Sequence, residues 1–304
     1  MSTTTTPTPT VHRETCPACD SPEVAPALTC EDHTVSHERF DVWHCAACTL
    51  RFTQDVPTED AIGSYYQSEE YVSHSNTSRG LVNGLYQRVR DVTLRQKLAL
   101  VRELTGRDTG RVLDVGCGTG EFLHTLREAG WRTRGLEPDA GARAFAKTTY
   151  GLEVTEPDDL FALEGPYDAV TLWHVLEHVH RLHAYLDRLR ELIGEAGVLV
   201  IAVPNYTSPD ARHYGEAWAA YDVPRHLYHF SPQAMTRLLA RHGLRLAETR
   251  PMPFDAFYVS LLSERYRHGG LRPVRAFAQG LGSWWPARSE ATRASSVMYV
   301  VRRA

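Results

Sequence analysis

Two C-x-x-C pairs lie near the N-terminus: Cys16 with Cys19 in CPAC, and Cys45 with Cys48 in CAAC. Each knuckle offers two thiolates from one tight turn. Two knuckles close the tetrahedron that zinc prefers and leave no position open for chemistry. A structural Zn2+ on Cys16, Cys19, Cys45 and Cys48 is therefore expected, in a ribbon built around the strand-like RFDVWHC. A pair of redox dithiols or chance spacing is the alternative, but paired knuckles in a chain read as cytoplasmic point to metal first. His33, His37 and His44 are read as surface residues beside a site that four thiolates already fill.

The second chemical feature is LDVGCGTGEF, residues 113–122. Gly116, Gly118 and Gly120 can take positive φ and let backbone N–H groups approach a ligand. Their G-x-G-x-G spacing is one residue shorter than the G-x-G-x-x-G loop that seats a pyrophosphate on a helix N-terminus. Glu121 opens the next helix, where a carboxylate repels a pyrophosphate and suits a ligand carrying an amino group or a sulfonium. Glu137 ends the following strand, where an acid accepts hydrogen bonds from ribose hydroxyls. Asp114 has two readings, a turn-stabilising carboxylate and a ligand contact, and is expected to serve as both. Cys117 reads as a small filler of the loop.

These groups need a frame to hold them. From Arg111 onward, short apolar strands (RVLDV, WRTRGLE, LEVT, YDAVTLW, GVLVIAVP) alternate with helical patterns, which argues for a doubly wound α/β sheet. Ser231, Pro232 and Gly243 bracket one helix as N-cap, first position and end. LRLAETR and SSVMYVVRR read as two final strands. The expected organisation is a disordered Thr/Pro tail (1–12), the ribbon (13–55), a connector with an amphipathic helix (56–105) and the main domain (106–304). A long aromatic, arginine-rich insertion covers about 254–290. It reads either as a helical hairpin packed on the sheet edge or as a lid over an apolar or lipid-linked acceptor. Contact with a membrane surface is a further reading of the same segment.

LDVGCGTGEF, GLEPDAGARAFAK and YDAVTLWHVLEHV together resemble the motifs of class I S-adenosylmethionine-dependent methyltransferases, over roughly residues 111–301. WHVLEHV is similar to the branch with small-molecule and lipid-quinone enzymes. The ribbon followed by YYQSEEYVSHS is similar to bacterial zinc-ribbon methyltransferases, including sugar C-methyltransferases, and the expectation is a chain without the further C-terminal domain of those sugar enzymes. The resemblance implies a seven-stranded Rossmann-like sheet with its last strand antiparallel, S-adenosyl-L-methionine as cofactor and methyl transfer as the activity. It implies that Asp114, Gly116, Cys117, Gly118 and Gly120 border the methionine part, and that Glu137 with Pro138 holds the ribose. It further implies Asp159 and Leu160 at the adenine edge and Trp173 and His174 at the reactive end.

Methyl transfer to oxygen or carbon needs alignment and removal of a proton, for which histidine titrates in the useful range. His178, beside Glu177, and His226, in YDVPRHLYHFS, are the candidate bases. For His178 a helix-capping role weighs equally, and for the second stretch the alternative is a structural corner. The sugar enzymes carry an acid before the corresponding histidine. Arg225 stands there instead, which suits a phosphate or carboxylate on the acceptor. Tyr221, Asp222, Arg225, Tyr71 and His74 are the candidate acceptor contacts.

The expected function is methylation of an oxygen or carbon on a sugar, lipid-linked or secondary-metabolite acceptor. The alternatives are a zinc-ribbon RNA methyltransferase and a non-catalytic cofactor-binding scaffold. A net charge of −4 and a pI near 6.4 count against nucleic acid as the main partner. VPNY, residues 203–206, only partly echoes a base-flipping N-P-P-Y motif. No apolar run is long enough to span a bilayer, and a cytoplasmic protein is expected.

Overall fold

The computed structural model describes residues 8–66 and 81–304. The candidates Tyr71 and His74 lie outside the described residues. A seven-stranded sheet forms the body, from β6 (Arg111–Val115), β7 (Arg132–Leu136), β8 (Val154–Thr155), β9 (Tyr167–Trp173), β10 (Ile193–Pro204), β12 (Leu244–Pro251) and β13 (Ser296–Arg303). Their order in space is β12-β13-β10-β9-β6-β7-β8. Strand β13 pairs antiparallel with both β10 and β12, so it alone runs against the rest. That is the sheet the sequence motifs imply. The apolar run Val198–Val203 of β10 is fully buried, as a strand covered on both faces must be.

Chain order reverses on either side of β6, which has β7 on one flank and β9 on the other. Ligands of open α/β sheets bind in the crevice at such a switch point, outside the carboxyl ends of the strands. The glycine loop leaves β6 and His174 follows β9, so both open on that crevice. The helix Glu121–Glu128 starts directly from Gly120, which adopts φ 86°. The helix Ala140–Tyr150 starts from Asp139, whose carboxylate accepts a hydrogen bond from Ala142 N. Ser231 caps the helix Pro232–Arg241 by accepting from Ala234 N, as its sequence signature requires.

The N-terminal module is less separate than its composition suggests. Its strands β2 (Val24–Glu31), β3 (Arg39–Cys45) and β4 (Arg51–Thr53) form one sheet with β11 (Tyr228–His229), which comes from the main domain. The tail expected to be disordered through residue 12 also enters the fold. Strand β1 (Thr10–Val11) pairs with β5 (Val56–Pro57), across the expected end of the ribbon. Backbone pairing between distant segments gives no periodic signal in either one.

Between β12 and β13 lie two helices, Asp255–His268 and Pro273–Ala287, packed against each other as a hairpin. A side chain on Gly280 would meet the Phe257 ring at 2.7 Å, so this glycine permits their close approach.

Candidate functional site

Gly116, Gly118 and Gly120 all take positive φ, at 70°, 56° and 86°. A Cβ at Gly116 would strike Val175 at 2.4 Å, whereas a Cβ at Gly118 would meet no atom within 4 Å. The first glycine therefore serves packing, and Gly118 faces open space where a ligand can lie against the backbone. Cys117 is buried, and burial first, then the nearby Asp114 and Glu137 charges, pushes its thiol well above the usual range. It is a neutral filler.

Glu137 is almost fully buried. Its Oε2 accepts from Gly118 N at 2.8 Å and its Oε1 from Asp139 N at 2.9 Å, so the loop, the acid and Pro138 form one rigid corner. Each carboxylate oxygen keeps a second lone pair for a hydroxyl donor. Asp114 is buried and accepts from Thr171 Oγ1 at 2.5 Å. Burial raises its pKa to about 7, against the lowering effects of Thr171 and Lys97. Asp159 is exposed and Leu160 buried, on a short 3-10 turn (Pro157–Phe161) beside the corner.

Lys97 completes this half of the site and was not among the expected residues. Its Nζ lies 4.0 Å from the Trp173 ring centroid and 5.5 Å from that of Phe122. Burial lowers its pKa to about 8, with Asp114 and Asp255 opposing. A sequence signal did exist. Lys97 stands three residues after Leu94 and four before Val101, on the apolar stripe of its helix, where a cation needs a reason to be.

At the tip of β9, His174 takes φ 56° and sits between two carboxylates. Its Nε2 lies 3.0 Å from Asp255 Oδ2 and its Nδ1 3.5 Å from Glu177 Oε1. Burial alone would lower its pKa, but the two acids outweigh it and hold the imidazole charged, at about 10. His174 is thus a cation held within a net negative trio. Neither Asp255 nor its contact with a residue 81 positions earlier could be read from local sequence.

Glu177 is fully buried and lies beside both candidate bases. Donor atoms of Glu177, His178 and His226 all fall within 4.8 Å of one another, a set that can hold a proton or a cation. His178 Nδ1 donates to Arg225 O at 3.0 Å, with Tyr66 Oη at the same distance. His226 Nδ1 donates to Ala220 O at 2.9 Å. Both rings therefore turn Nε2 away from the backbone, and their centroids are 4.6 Å apart. Burial, reinforced by His226, lowers the pKa of His178 to about 4 and keeps it neutral.

The other acceptor-side candidates have different uses. Arg225 is buried, with Nη2 2.9 Å from Asp32 Oδ1 and 2.6 Å from Asp222 Oδ1, and Nη1 donating to Tyr65 O. It ties the loop to the ribbon and presents no free charge to an acceptor phosphate. Asp222, at φ 37°, is the other half of that ion pair. Tyr221 is buried, and its hydroxyl accepts from Arg51 Nη1 at 2.6 Å. The partners Asp32 and Arg51 lie in the ribbon, and Tyr221, Asp222 and Arg225 line one pocket together with Cys30, His33 and Tyr266.

The cysteines are brought together as expected. Cys16 Sγ lies 3.5 Å from Cys48 Sγ, and Cys19 Sγ lies 3.6 Å from Cys45 Sγ. A tetrahedron with Zn–S bonds of about 2.3 Å has edges of roughly 3.8 Å, whereas a disulfide needs S–S near 2.0 Å. The donor set and spacing fit zinc. The hydrogen bond from Cys16, first among the effects on it, lowers the Cys48 thiol below its ordinary range. Asn205 of VPNY is buried with both ends bonded: its Nδ2 donates to Thr292 O and Ala294 O, and its Oδ1 accepts from Thr207. It has no capacity left for a flipped base.

Residues 86–249 match the family model described as "Methyltransferase domain". A ubiquinone biosynthesis O-methyltransferase of Dinoroseobacter shibae is 26% identical over 159 residues, 48% of this chain and 64% of that protein. Its counterpart from Azorhizobium caulinodans is 24% identical over 180 residues, covering 55% and 71%. The chain thus spans just under two thirds of the first relative. Among solved structures, magnesium protoporphyrin IX methyltransferase (ChlM) from Synechocystis PCC 6803 with bound SAH aligns with a TM-score of 0.50. It is 16% identical and covers 80% of this chain and 98% of that one, a likeness of fold. Among the described residues, no helix is long and apolar enough to cross a membrane.

Proposed function

The chain belongs to the methyltransferase-domain family, and on this premise we propose that it moves a methyl group from S-adenosylmethionine to an oxygen or carbon of a small-molecule acceptor. The observation that carries this reading is the corner made by Gly118 and Glu137 with buried Asp114 behind it. It offers a ribose-holding acid, an open backbone surface and negative charge to a cationic ligand in one crevice. S-adenosylmethionine supplies an electrophilic methyl on a sulfonium. The protein's part is to hold that group near the carboxylates of Asp114, Glu177 and Asp255, and to align the acceptor. Alignment alone can supply up to about 7–11 kcal/mol of barrier lowering.

The acceptor's proton would leave toward the His178–His226 pair, which lies beside the buried Glu177. A buried carboxylate there stabilises the imidazolium that forms. The ribbon, bonded to this loop through Arg51 and Asp32, acts as its buttress, and the hairpin at 255–287 as the cover of the acceptor side. A quinol or phenol, a nucleotide-linked sugar or another amphiphilic hydroxyl compound is the acceptor class this favours. The bonded-out Asn205 weighs against the RNA reading.

The test is transfer of labelled methyl from S-adenosylmethionine over a panel of such acceptors. His226→Asn should lower turnover at least 100-fold, within the usual range for a lost acid–base group, with cofactor affinity nearly unchanged. Cofactor binding without transfer to any acceptor would favour the scaffold reading. Unchanged turnover in His226→Asn would remove that histidine from the chemistry.

A further inference from the structure

The helix Pro273–Ala287 is amphipathic in the reverse sense. Its inward stripe is small: Ala276, Gly280, Ser283 and Ala287 are buried against the rest of the hairpin. Its outward stripe is large and apolar. Val274 is 82% exposed, Phe277 61%, Leu281 40% and Trp285 63%, with Leu271 at 65% just before the helix. At 100° per residue, Val274, Phe277, Leu281 and Trp285 fall within an arc of roughly 80°. A water-facing helix of a soluble domain shows the opposite pattern, and contiguous exposed apolar surface of this kind marks an interaction face.

The charges around the stripe indicate what covers it. Residues 265–289 hold five arginines and no acid, in a chain whose net charge is −4. Arg272 and Arg275 are exposed on the same segment, and Arg288 lies over the Trp284 and Trp285 rings at 5.1 and 5.2 Å. Large apolar groups flanked by arginine, with tryptophan at the edge, match the chemistry of an interface of acyl chains below and anionic headgroups above. A second copy fits less well. Pairing two such faces by two-fold symmetry would set arginine against arginine.

We propose that this face of the helix docks the protein on a bilayer surface that carries anionic lipid. The hairpin connects that surface to the site. Phe257 of the first helix packs on Phe277 of the second, with ring centroids 5.4 Å apart, and Asp255 at its start contacts His174. Docking would bring the acceptor-side opening to the membrane, where an amphiphilic acceptor is concentrated. That last step rests on the methyl-transfer reading; docking itself does not.

The experiment is co-sedimentation of the full chain with vesicles of phosphatidylglycerol and phosphatidylcholine, against phosphatidylcholine alone, at several salt concentrations. Binding is expected on the anionic vesicles, weakened by salt, and at least tenfold weaker on the neutral ones. Arg272→Glu/Arg275→Glu should weaken binding about 30-fold or more, from roughly fivefold per cation removed. Val274→Ser/Trp285→Ser, at the two most exposed positions of the stripe, should abolish it with the melting temperature unchanged. Failure of the wild type to bind anionic vesicles overturns the proposal. So does a concentration-dependent dimer in sedimentation velocity that the same substitutions dissociate. Cofactor titration on the same sample reports separately on the methyltransferase reading, because vesicle binding needs no cofactor.

Discussion

Arg225→Met tests how the ribbon and the acceptor-side loop depend on each other. The guanidinium is 1% exposed and bonds Asp32 of the ribbon, Asp222 of the loop and Tyr65 O of the connector. Removing one partner of a buried pair leaves the other charge uncompensated, at a cost of about 3–5 kcal/mol. The lower end applies here. Asp32 still accepts from Thr34, Val35 and Ser36, and Asp222 is partly open to water. A loss of about 3 kcal/mol lowers the melting temperature of a chain this size by roughly 5 °C. Asp32→Asn alone should cost less, because Arg225 keeps Asp222 and Tyr65 O. In the double variant Asp32→Asn/Arg225→Met the two effects should fall short of their sum by at least about 1 kcal/mol, as for residues in contact. Denaturant unfolding of the four proteins gives the cycle. Additivity within about 0.5 kcal/mol would refute the pairing. The Asp32 carboxyl is held well below its usual range, with burial opposing and the hydrogen bond from Arg225 foremost among the lowering effects. Its contribution is therefore present above about pH 4 and lost as pH falls below it.

Cys45→Ser should lower zinc, measured by inductively coupled plasma mass spectrometry, below one ion per chain. It should also loosen the ribbon, and full zinc occupancy would sink the four-thiolate assignment. Affinity for S-adenosylmethionine should rise with pH between about 6 and 8. Asp114, held near 7 by burial, must ionise to favour a cationic ligand, and Lys97 near it loses its charge around 8. Calorimetry across that range checks it, and Asp114→Asn should flatten the profile. In the ligand-free protein the same raised pKa runs the other way. The folded state holds a proton on Asp114 that the unfolded chain has lost, so stability from this group falls as pH rises from about 4 to 7.

The parts of the site that were legible in the sequence are local. Gly116, Gly118 and Gly120 follow one strand and precede one helix, and each knuckle is four residues long, so spacing alone carries their geometry. Glu137 was legible because strand, turn and helix lengths set where the second strand ends. Other contacts join residues far apart along the chain, where local sequence carries no signal. Arg225 meets Asp32 across 193 positions, Tyr221 meets Arg51 across 170, and Tyr228–His229 becomes the fourth strand of the ribbon sheet. A polar, titratable loop looks the same in sequence whether its charges face an acceptor or one another. Lys97 and Asp255 reach the crevice from a preceding helix and from the hairpin, two elements whose placement over the sheet is set by packing.

The central claim is that the corner formed by the glycine loop and Glu137 binds S-adenosylmethionine. Isothermal titration of the wild type and Glu137→Ala with S-adenosylhomocysteine tests it most directly. One-to-one binding is expected for the wild type. Glu137→Ala should bind at least tenfold more weakly, the low end for losing hydrogen bonds to a charged group. Absence of binding by the folded wild type, or equal affinity in the variant, would contradict the account.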